Sequence, residues 1–504
     1  MPSYRNPVLR ADWSDPDVVR VGEDYYLTAS TFTRVPGLPI LLSRDLVNWR
    51  IIGHALDALV PEGHFDLPRH GCGVWAPAIR HHAGRFYIFY PDPDHGIYVT
   101  EAEDPAGPWS EPHLLYAGRG LIDPCPLWDD DGRAYLAHAW AATRSGFNNV
   151  ITLHEMSADA RRILGPGRVV IDGNRLPGFS VLEGPKLYKR DGWYWIFAPA
   201  GSVPTGWQSV FRARDPWGPY EERTVLAQGS TAVNGPHQGA WVDAPDGSHW
   251  FVHFQDAGAF GRVVHLQPMS WGDDGWPRFG TLAGTQDTGA GEPVTEHAAP
   301  VGSADAGSGD PVAAIELSGD RLGRAWYWQA NPRDDWARLE AGVLRLRAVA
   351  DDPVNLREIP HLLAQRLPLG ASSTSVRLDA GDLADGARAG LAIVGERYCW
   401  IGVRSTAEGL VVECATGGAD RTEASLATPV PVSGPVRLRA EVDAGGAVRL
   451  SWSDARGAEV AVDATFAAAP GKWSGAELGL FATAPLGAPE SWARFDDYAL
   501  TVSP

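Results

Sequence analysis

Cysteine is scarce in this sequence, with four residues in a chain of 504. Cys72, Cys125, Cys399 and Cys414 form no C-x-x-C pair and no other spacing that is typical of metal ligands, which argues against a zinc site. Cys125 lies in a short apolar stretch, where we expect a small buried side chain rather than a nucleophile.

Basic residues are in the minority. The chain has 43 Lys and Arg against 62 Asp and Glu, which gives a formal net charge of -19. Nucleic acid is bound through a basic surface, so this balance excludes it as a partner. No apolar run approaches the roughly 20 residues of a membrane-spanning helix. The first residues lack the basic and apolar regions of a secretory signal, so we expect a cytoplasmic protein with no membrane partner.

Long amphipathic helical windows are missing as well, and short strand signals take their place. One unit occurs five times: an opening residue, a short apolar strand, a glycine turn and an aromatic strand. The copies are spaced by about 45 to 60 residues, which is typical of propeller blades. They predict a five-bladed β-propeller. The units open with Asp15, Ala76 (behind Trp75), Asp123, Glu183 and His237.

The repeats stop near Gly280, and a chain of this length needs more than one core. Residues 281–311 are rich in Gly, Ala, Thr, Ser and Asp, which indicates a linker. Apolar and polar residues then alternate, as in 343–347, 373–378 and 436–442, which predicts a β-sandwich. We therefore expect an all-β protein with a propeller over 1–285, a linker over 286–311 and a sandwich over 312–504.

Three of the five opening residues are carboxylic acids, and the propeller geometry would bring them to one mouth of the channel. Like charges raise one another's pKa, so a purely structural propeller gains nothing from this arrangement. Glycoside hydrolysis does need it, because one carboxyl protonates the leaving oxygen while another activates water or attacks. A third can keep the acid protonated until it is needed.

The motifs resemble those of glycoside hydrolase family 43, in the branch of β-xylosidases and α-L-arabinofuranosidases that carry a C-terminal, concanavalin-like β-sandwich. The resemblance spans the whole propeller in order and extends more thinly into the sandwich. The matching segments are 13–17 (WSDPD), 35–40 (VPGLPI), 43–49 (SRDLVNW), 73–77 (GVWAP), 122–124 (IDP), 182–185 (LEGP) and 235–239 (GPHQG).

The resemblance implies a role for each opening acid in a reaction that inverts configuration. Asp15 corresponds to the general base, Glu183 to the general acid, and Asp123 to the carboxylate that tunes the pKa of Glu183. An inverting mechanism separates acid and base by about 6.5–9.5 Å to leave room for water. Opposed blades around a narrow channel could supply that gap.

The resemblance also implies binding residues. Phe32 and Trp75 correspond to aromatics around the terminal sugar, with core packing as the alternative. Arg262 corresponds to an arginine that reaches the sugar or the acids, with a blade salt bridge as the alternative. His237 corresponds to a channel histidine that holds either water alone or a structural calcium ion through water. No cofactor is expected to be required.

The expected function is removal of terminal β-1,4-xylosyl or α-L-arabinofuranosyl units from xylan-derived or arabinoxylan-derived oligosaccharides. An endo-acting arabinanase on the same fold and a non-catalytic carbohydrate-binding propeller are the alternatives. In the resembling branch, a loop of the sandwich reaches the active site and shortens the cleft to a pocket. Here the Pro-bounded segment 353–360 is the candidate loop.

Overall fold

The structure, a computed structural model, describes residues 2–282, 289–300, 311–312, 317, 319–351, 355–420 and 422–503. Strands dominate it, as the short apolar and aromatic runs predict. The helices of these residues are single turns, and none is long and apolar enough to cross a membrane. They are Glu62–Phe65, Ala142–Ser145, Gly173–Arg175 and Gly258–Phe260.

Five antiparallel sheets, each with four strands in chain order, form the predicted propeller. Blade one contains Asp17–Val21, Asp24–Thr28, Gly37–Ser43 and Arg50–Leu56. Blade two contains Ala78–His82, Arg85–Asp92, Gly96–Ala102 and His113–Ala117. Blade three contains Leu121–Trp128, Ala134–Trp140, Val150–Met156 and Arg168–Asp172. Blade four contains Lys186–Arg190, Trp193–Ala200, Trp207–Ala213 and Glu221–Ala227, and blade five contains His237–Asp243, His249–Asp256, Arg262–Trp271 and Pro277–Phe279.

The blades form where the repeat unit supplies a turn and an aromatic core. In blade one, Val21 pairs with Asp24 around a tight turn that Gly22 makes possible with a φ of 63°. Between blades four and five, Trp195 packs edge-on against Trp271 and Trp276, with ring centroids 5.0 and 5.6 Å apart. Much of the tryptophan excess therefore fills the spaces between blades.

The start of the chain is fastened to the last blade. The amide nitrogen of Val8 and the carbonyl oxygen of Val264 are 2.8 Å apart, and the Asn6 side chain bonds both backbone groups of Leu266. Ser3–Arg5 pairs with Glu296–Ala298. These contacts hold the segment before Asp15 against blade five.

The segment predicted as a linker lies partly outside the described residues, at 286–288 and 301–310. Its described part adds strands to the propeller. Gly291–Glu292 pairs with blade four and with Thr281–Leu282, and Glu296–Ala298 pairs with the chain start.

Two packed sheets form the second domain, as the alternating patterns predict. Ser372–Asp379 alternates strictly between buried and half-buried residues. One sheet contains Tyr327–Trp328, Val349–Ala350, Leu363–Arg366, Arg388–Val394, Arg397–Thr406, Gly409–Gly418, Glu423–Ser425, Val430–Val432 and Glu477–Ala484. The other contains Ala337–Glu340, Val343–Arg347, Ser372–Asp379, Val436–Val442, Ala447–Ser453, Glu459–Ala467 and Trp492–Val502.

The sandwich docks on the propeller through backbone pairing as well as side chains. Val35 of blade one and Trp328 exchange two hydrogen bonds, of 3.0 and 2.7 Å. Asn331 bonds both backbone groups of Leu59. Behind these contacts, apolar residues of both domains form one buried cluster that includes Trp13 and Trp328. The two domains therefore share a core beside the channel.

Candidate active site

One cavity of about 400 Å³ opens at a mouth of the propeller channel. All the residues that the sequence marks as site candidates line it: Asp15, Phe32, Trp75, Asp123, Glu183, His237 and Arg262. They come from all five blades or from the segments that enter them. The blade repeat therefore brings together residues that are up to 247 positions apart in the chain.

The backbone is strained at two of the three acids, Asp15 and Asp123. Asp15 and Asp123 both have a φ of 56°, in the left-handed region that residues with a Cβ seldom occupy. Asp123 lies at a register shift between Ile122 and Cys125, and His237 lies at a similar shift in blade five. Irregularities of this kind redirect a side chain, at about 1–3 kcal/mol for each strained residue. They turn these side chains towards the cavity.

Asp15 is held by two donors on different blades. The Ser30 hydroxyl donates to Oδ2 at 2.6 Å, and Arg262 Nη1 donates to Oδ1 at 2.7 Å. Arg262 comes from blade five, and its guanidinium also lies 4.7 Å from the centre of the Phe254 ring. The predicted alternative for Arg262, a salt bridge between blades, is thus present, and the bridge itself ends on a site carboxylate.

Asp123 is almost fully buried beside the cavity. Its Oδ2 accepts a hydrogen bond from the backbone of Gly184 at 2.8 Å. Burial raises the pKa of Asp123 to about 6, and the charge of Asp15 adds to this, against hydrogen bonds from Gln238 and Gly184 that lower it. The bond to Gly184 ties Asp123 to the residue next to Glu183.

Glu183 has an environment that favours its protonated form. Burial raises its pKa well above the usual value, and the charges of Asp123 and Asp15 raise it further, against the opposing charge of Arg262. Its side chain keeps 22% exposure, so the carboxyl still opens to the cavity. A carboxylic acid that stays protonated near neutral pH can donate a proton to a leaving group.

His237 lies fully buried beneath Glu183, with Nε2 3.7 Å from Oε1 of that residue. Burial lowers the pKa of His237 to about 3, helped by the charge of Arg262, so the ring is neutral at neutral pH. Neither ring nitrogen has a hydrogen-bond partner within the described part of the chain. A buried imidazole of this kind can bind water or a polar ligand.

A calcium ion on the channel axis is only partly compatible with these residues. Calcium takes about six to eight oxygen ligands, so an imidazole would hold it through water. Among the described residues no group of three or more His, Cys, Asp or Glu side chains is arranged to hold a metal ion. The calcium ion therefore stays a prediction.

Phe32 and Trp75 form one aromatic wall. Phe32 has a φ of 53° and exchanges two backbone hydrogen bonds with Val74, each 2.9 Å long. This close approach requires Gly73, because a Cβ at that position would lie 2.3 Å from the carbonyl oxygen of Phe32. The Arg144 guanidinium lies 5.5 Å from the Trp75 ring centre and also binds Asp94.

The sandwich contributes Trp473 to the cavity, and sequence reasoning missed this residue. Trp473 has a φ of 64° and lies edge-on to Trp75, with ring centroids 6.5 Å apart. Its setting, Gly471-Lys472-Trp473-Ser474-Gly475, was an available signal, since an aromatic among glycines is typical of an exposed loop.

The described residues of the candidate loop, 355–360, do not line the cavity, so this part of the prediction was wrong. Residues 353 and 354 lie outside the described residues. Leu356 and Ile359 are fully buried in the sandwich core, so the following segment packs inward. A segment bounded by prolines is therefore not necessarily an exposed loop.

Trp140 was missed as well. It ends the second strand of blade three and lines the cavity with Ala142 and Thr143 of the helical turn Ala142–Ser145. The half-exposed Phe147 packs beside it, with ring centroids 4.8 Å apart. Aligning the ends of the second strands of the five repeats would have drawn attention to this position.

Comparison with known proteins agrees with the fold. The family model described as glycosyl hydrolases family 43 matches residues 4–277, and the one described as the β-xylosidase C-terminal concanavalin A-like domain matches residues 315–501. A protein of Xylanibacter ruminicola is 41% identical over 404 residues, which are 80% of this chain and 72% of that protein.

Two further matches carry names that refer to pentose sugars. The "Xylosidase/arabinosidase 43B" of Humicola insolens is 35% identical over 310 residues, which are 55% of this chain and 55% of that protein. The crystal structure of a xylan β-1,4-xylosidase from Bacillus halodurans superposes with a TM-score of 0.87, at 25% identity, and covers 99% of both chains.

Proposed function

The chain belongs to glycosyl hydrolase family 43, whose members are inverting glycosidases, and from this premise we propose that it releases single pentosyl units from the non-reducing ends of short oligosaccharides. The observation that carries the proposal is the cavity in which Asp15, Asp123 and Glu183 meet under aromatic walls. Glycoside hydrolysis needs carboxyl groups with different roles in one site, and the presence of three carboxyls in this cavity supports the proposal.

Glu183 is assigned as the general acid. Burial and then the charges of Asp123 and Asp15 raise its pKa and favour the protonated carboxyl, and its exposed edge faces the space where a glycosidic oxygen would lie. Asp123 supports this state through its charge and through its bond to Gly184. As the bond to the leaving group breaks, Glu183 transfers the proton to the departing oxygen.

Asp15 is assigned as the general base. Ser30 and Arg262 donate hydrogen bonds to its two oxygens and hold the carboxyl in place. In an inverting reaction a water molecule lies between the base and the anomeric carbon and attacks from the face opposite the leaving group. Asp15 accepts the proton of this water, which leaves Glu183 ionised and Asp15 protonated until solvent restores both.

The shape of the cavity favours action on chain ends. Trp473 of the sandwich and Trp75 of the propeller stand on the same rim, so the site is a pocket rather than an open groove. Trp140 lines the cavity beside the helical turn, and the exposed Phe147 packs against it, so we assign this side of the cavity to the leaving group. An endo-acting arabinanase would need the chain to pass through both sides, and the position of Trp473 disfavours that alternative.

The sugar is proposed to be β-D-xylosyl, α-L-arabinofuranosyl or both. The names of the Humicola insolens and Bacillus halodurans proteins refer to these pentoses, and both sugars have similar outlines in a small pocket. Phe32, Trp75 and Trp473 supply flat apolar surfaces for such a ring. The net charge of the chain does not discriminate between neutral sugars.

Hydrolysis of xylobiose, 4-nitrophenyl β-D-xylopyranoside and 4-nitrophenyl α-L-arabinofuranoside tests the proposal. Turnover should collapse in Asp15→Ala, and proton NMR of the xylobiose reaction should detect α-xylose before mutarotation. The ratio of the two aryl glycoside rates identifies the preferred sugar. An enzyme that hydrolyses none of these substrates, or that releases β-xylose first, contradicts the proposed function.

A further inference from the structure

A buried ionic cluster lies where the sandwich meets the propeller, outside the cavity. Arg34 is its centre, with a side chain that is 5% exposed. Its Nη1 donates to Oδ2 of Asp12 at 2.6 Å, and its Nε donates to Oε1 of Glu477 at 2.6 Å. Asp12 comes from the segment before the first blade, and Glu477 begins a sandwich strand. One arginine therefore joins carboxylates of both domains.

Asp12 connects this cluster to the assigned base. Its Oδ1 accepts hydrogen bonds from the backbone nitrogen of Arg262 at 3.1 Å and from the hydroxyl of Ser14 at 2.8 Å. Ser14 directly precedes Asp15, and Arg262 binds Asp15 through Nη1 at 2.7 Å. A shift of the Asp12 carboxylate would therefore move both the residue before the base and the arginine that holds it.

The packing leaves little room for such a shift. Gly261 precedes Arg262 with a φ of 76°, and a Cβ there would lie 2.5 Å from Cβ of Asp12 and 2.6 Å from the nitrogen of Gly475. The backbones of blade five, the first segment and the sandwich are thus in direct contact at this point.

The part of the cluster that belongs to the sandwich is also connected to the cavity. Glu477 follows Trp473 by four positions, and between them the nitrogen of Ala476 donates to the carbonyl oxygen of Ala259 at 2.7 Å. Arg366 of the sandwich donates to the backbone oxygen of Asp12 at 2.6 Å. The segment that presents Trp473 is fixed to the same residues that fix Asp15 and Arg262.

Docking of the two domains does not itself require these charges. Burying an ion costs several kcal/mol, and apolar residues of similar volume often serve an interface equally well. The shared apolar cluster and the pairing of Val35 with Trp328 already join the domains. The cluster has directional contacts that an apolar interface would lack, and those of Asp12 lead to Arg262 and to Ser14, which precedes the base.

We propose that Arg34 is a positioning residue for hydrolysis, which through Asp12 and Glu477 sets the placement of the Arg262–Asp15 pair and of Trp473. The inference rests on the proposed function, because hydrolysis is one of its readouts. Arg34 does not line the cavity, so it acts through other residues. Its effect should appear mainly in kcat, because the placement of a base matters most in the transition state.

The first experiment compares Arg34→Lys with a matched control, Arg388→Lys. Arg388 is equally buried, binds Glu423 through both terminal nitrogens at 2.6 and 3.0 Å, and lies in the sandwich away from the cavity. Lysine keeps the charge but cannot reproduce two directed bonds. Both variants should lose thermal stability, whereas only Arg34→Lys should lower kcat, by roughly 10- to 100-fold with little change in KM. Equal kcat losses would overturn the proposal.

A double-mutant cycle tests whether Arg34 acts on hydrolysis through Arg262. If Arg34 acts through Arg262, adding Arg34→Lys to Arg262→Lys should cost about threefold or less, because the alignment is already lost. Losses that multiply in full would contradict this route. Glu477→Gln, which preserves shape, provides a milder variant with the same expected direction if Arg34→Lys does not fold.

A crystal structure of Arg34→Lys, or of Glu477→Gln if Arg34→Lys does not fold, separates this inference from the proposed function, since it requires no turnover. The contact between Arg262 Nη1 and Asp15 Oδ1, 2.7 Å in the native protein, should lengthen or break. An unchanged contact overturns the inference whether or not the wild type is active. A wild type without turnover contradicts the proposed function alone.

Discussion

The two ends of the propeller channel are built from the same five inner strands but differ in the arrangement of their charged residues. At the end that holds the candidate site, the carboxyls of Asp15, Asp123 and Glu183 line one cavity, and of the described residues around it only Arg262 is cationic. The opposite end has a cavity of about 320 Å³ that is lined by Arg20, Arg80, Lys189 and Asp243, among others. We call these the acid end and the paired end.

At the paired end each of these cations has a carboxylate partner. Arg80 binds Asp17 at 2.6 Å, Arg20 binds Asp243 at 2.5 Å, and Lys189 binds Asp129 and Asp130. At the paired end the buried charges are neutralised by ion pairs. At the acid end, burial and then the neighbouring carboxylates raise the pKa of Asp123 and Glu183. The comparison indicates that the charged residues of the acid end serve catalysis, whereas those of the paired end stabilise the fold.

The largest expected effect is at the acid end. Glu183→Ala should lower kcat on xylobiose by roughly 10²- to 10⁴-fold, the usual contribution of general acid catalysis. The loss should be much smaller on 4-nitrophenyl β-D-xylopyranoside, because 4-nitrophenolate leaves without protonation more readily than a sugar alkoxide. Steady-state rates on both substrates measure this. Asp15→Ala is the matched control, and it should lose activity on both. Equal losses on both substrates for Glu183→Ala would remove its assignment as the acid.

Substitutions at the paired end should lower the stability of the fold rather than the activity. Arg80→Met would leave the Asp17 carboxylate, which has no solvent exposure, without its closest cation, 2.6 Å away. Breaking a buried pair costs about 3–5 kcal/mol of unfolding free energy, and because Lys186 stays 3.6 Å from Asp17 we expect a loss at the lower end of this range. Urea denaturation should detect the loss, while kcat per folded molecule stays close to the wild-type value.

Arg20→Met provides the control at the same end. Its partner Asp243 keeps 48% exposure, so solvent screens the pair and the loss should be about 0–1 kcal/mol. If Arg80→Met instead reduced kcat strongly while remaining folded, the paired end would belong to the catalytic machinery and the contrast would not hold.

An effect of intermediate size is expected in the pH dependence of kcat/KM. Besides burial, the charge of Asp123 keeps the pKa of Glu183 high. Asp123→Asn removes that charge, so Glu183 should lose its proton at lower pH and the alkaline limb of kcat/KM should move to lower pH. Asp92→Asn is the control, because burial also raises the pKa of Asp92 to about 6, but Asp92 does not line the cavity. An alkaline limb that stays in place in Asp123→Asn would contradict the tuning role.

Much of the fold could be predicted because its signals are local and repeated. Gly22 allows the tight turn of blade one, and turns of the same length recur in blades two and four, whereas the glycine turns of blades three and five are longer. The strands of the sandwich follow from strict alternation, as in Ser372–Asp379. Equivalent positions of the repeats lie close together around one axis. The proximity of Asp15, Asp123, Glu183 and His237 could therefore also be predicted from the sequence.

The contribution of the second domain could not be predicted in the same way. Trp473 reaches the cavity only because the sandwich docks at one particular angle, and no repeat encodes that angle. The Pro-bounded segment was preferred as the loop, yet Leu356 and Ile359 are buried in the sandwich core. Arg34 was overlooked because charged residues are usually exposed, so a buried arginine leaves no mark in the hydrophobic pattern.

The smallest effect concerns the aromatic residues of the two ends. Trp473→Ala removes a half-exposed ring from the rim of the acid end and should lower kcat/KM on xylobiose about tenfold, equivalent to ~1.4 kcal/mol of lost contact with the sugar. Trp241→Ala at the paired end removes a ring of the same size that packs on Phe197, and it should lower the thermal midpoint without changing kcat/KM. Equal losses of kcat/KM would mean that the tryptophans act through the stability of the propeller. Unequal losses would mean that the ends differ in sugar recognition as well as in charge.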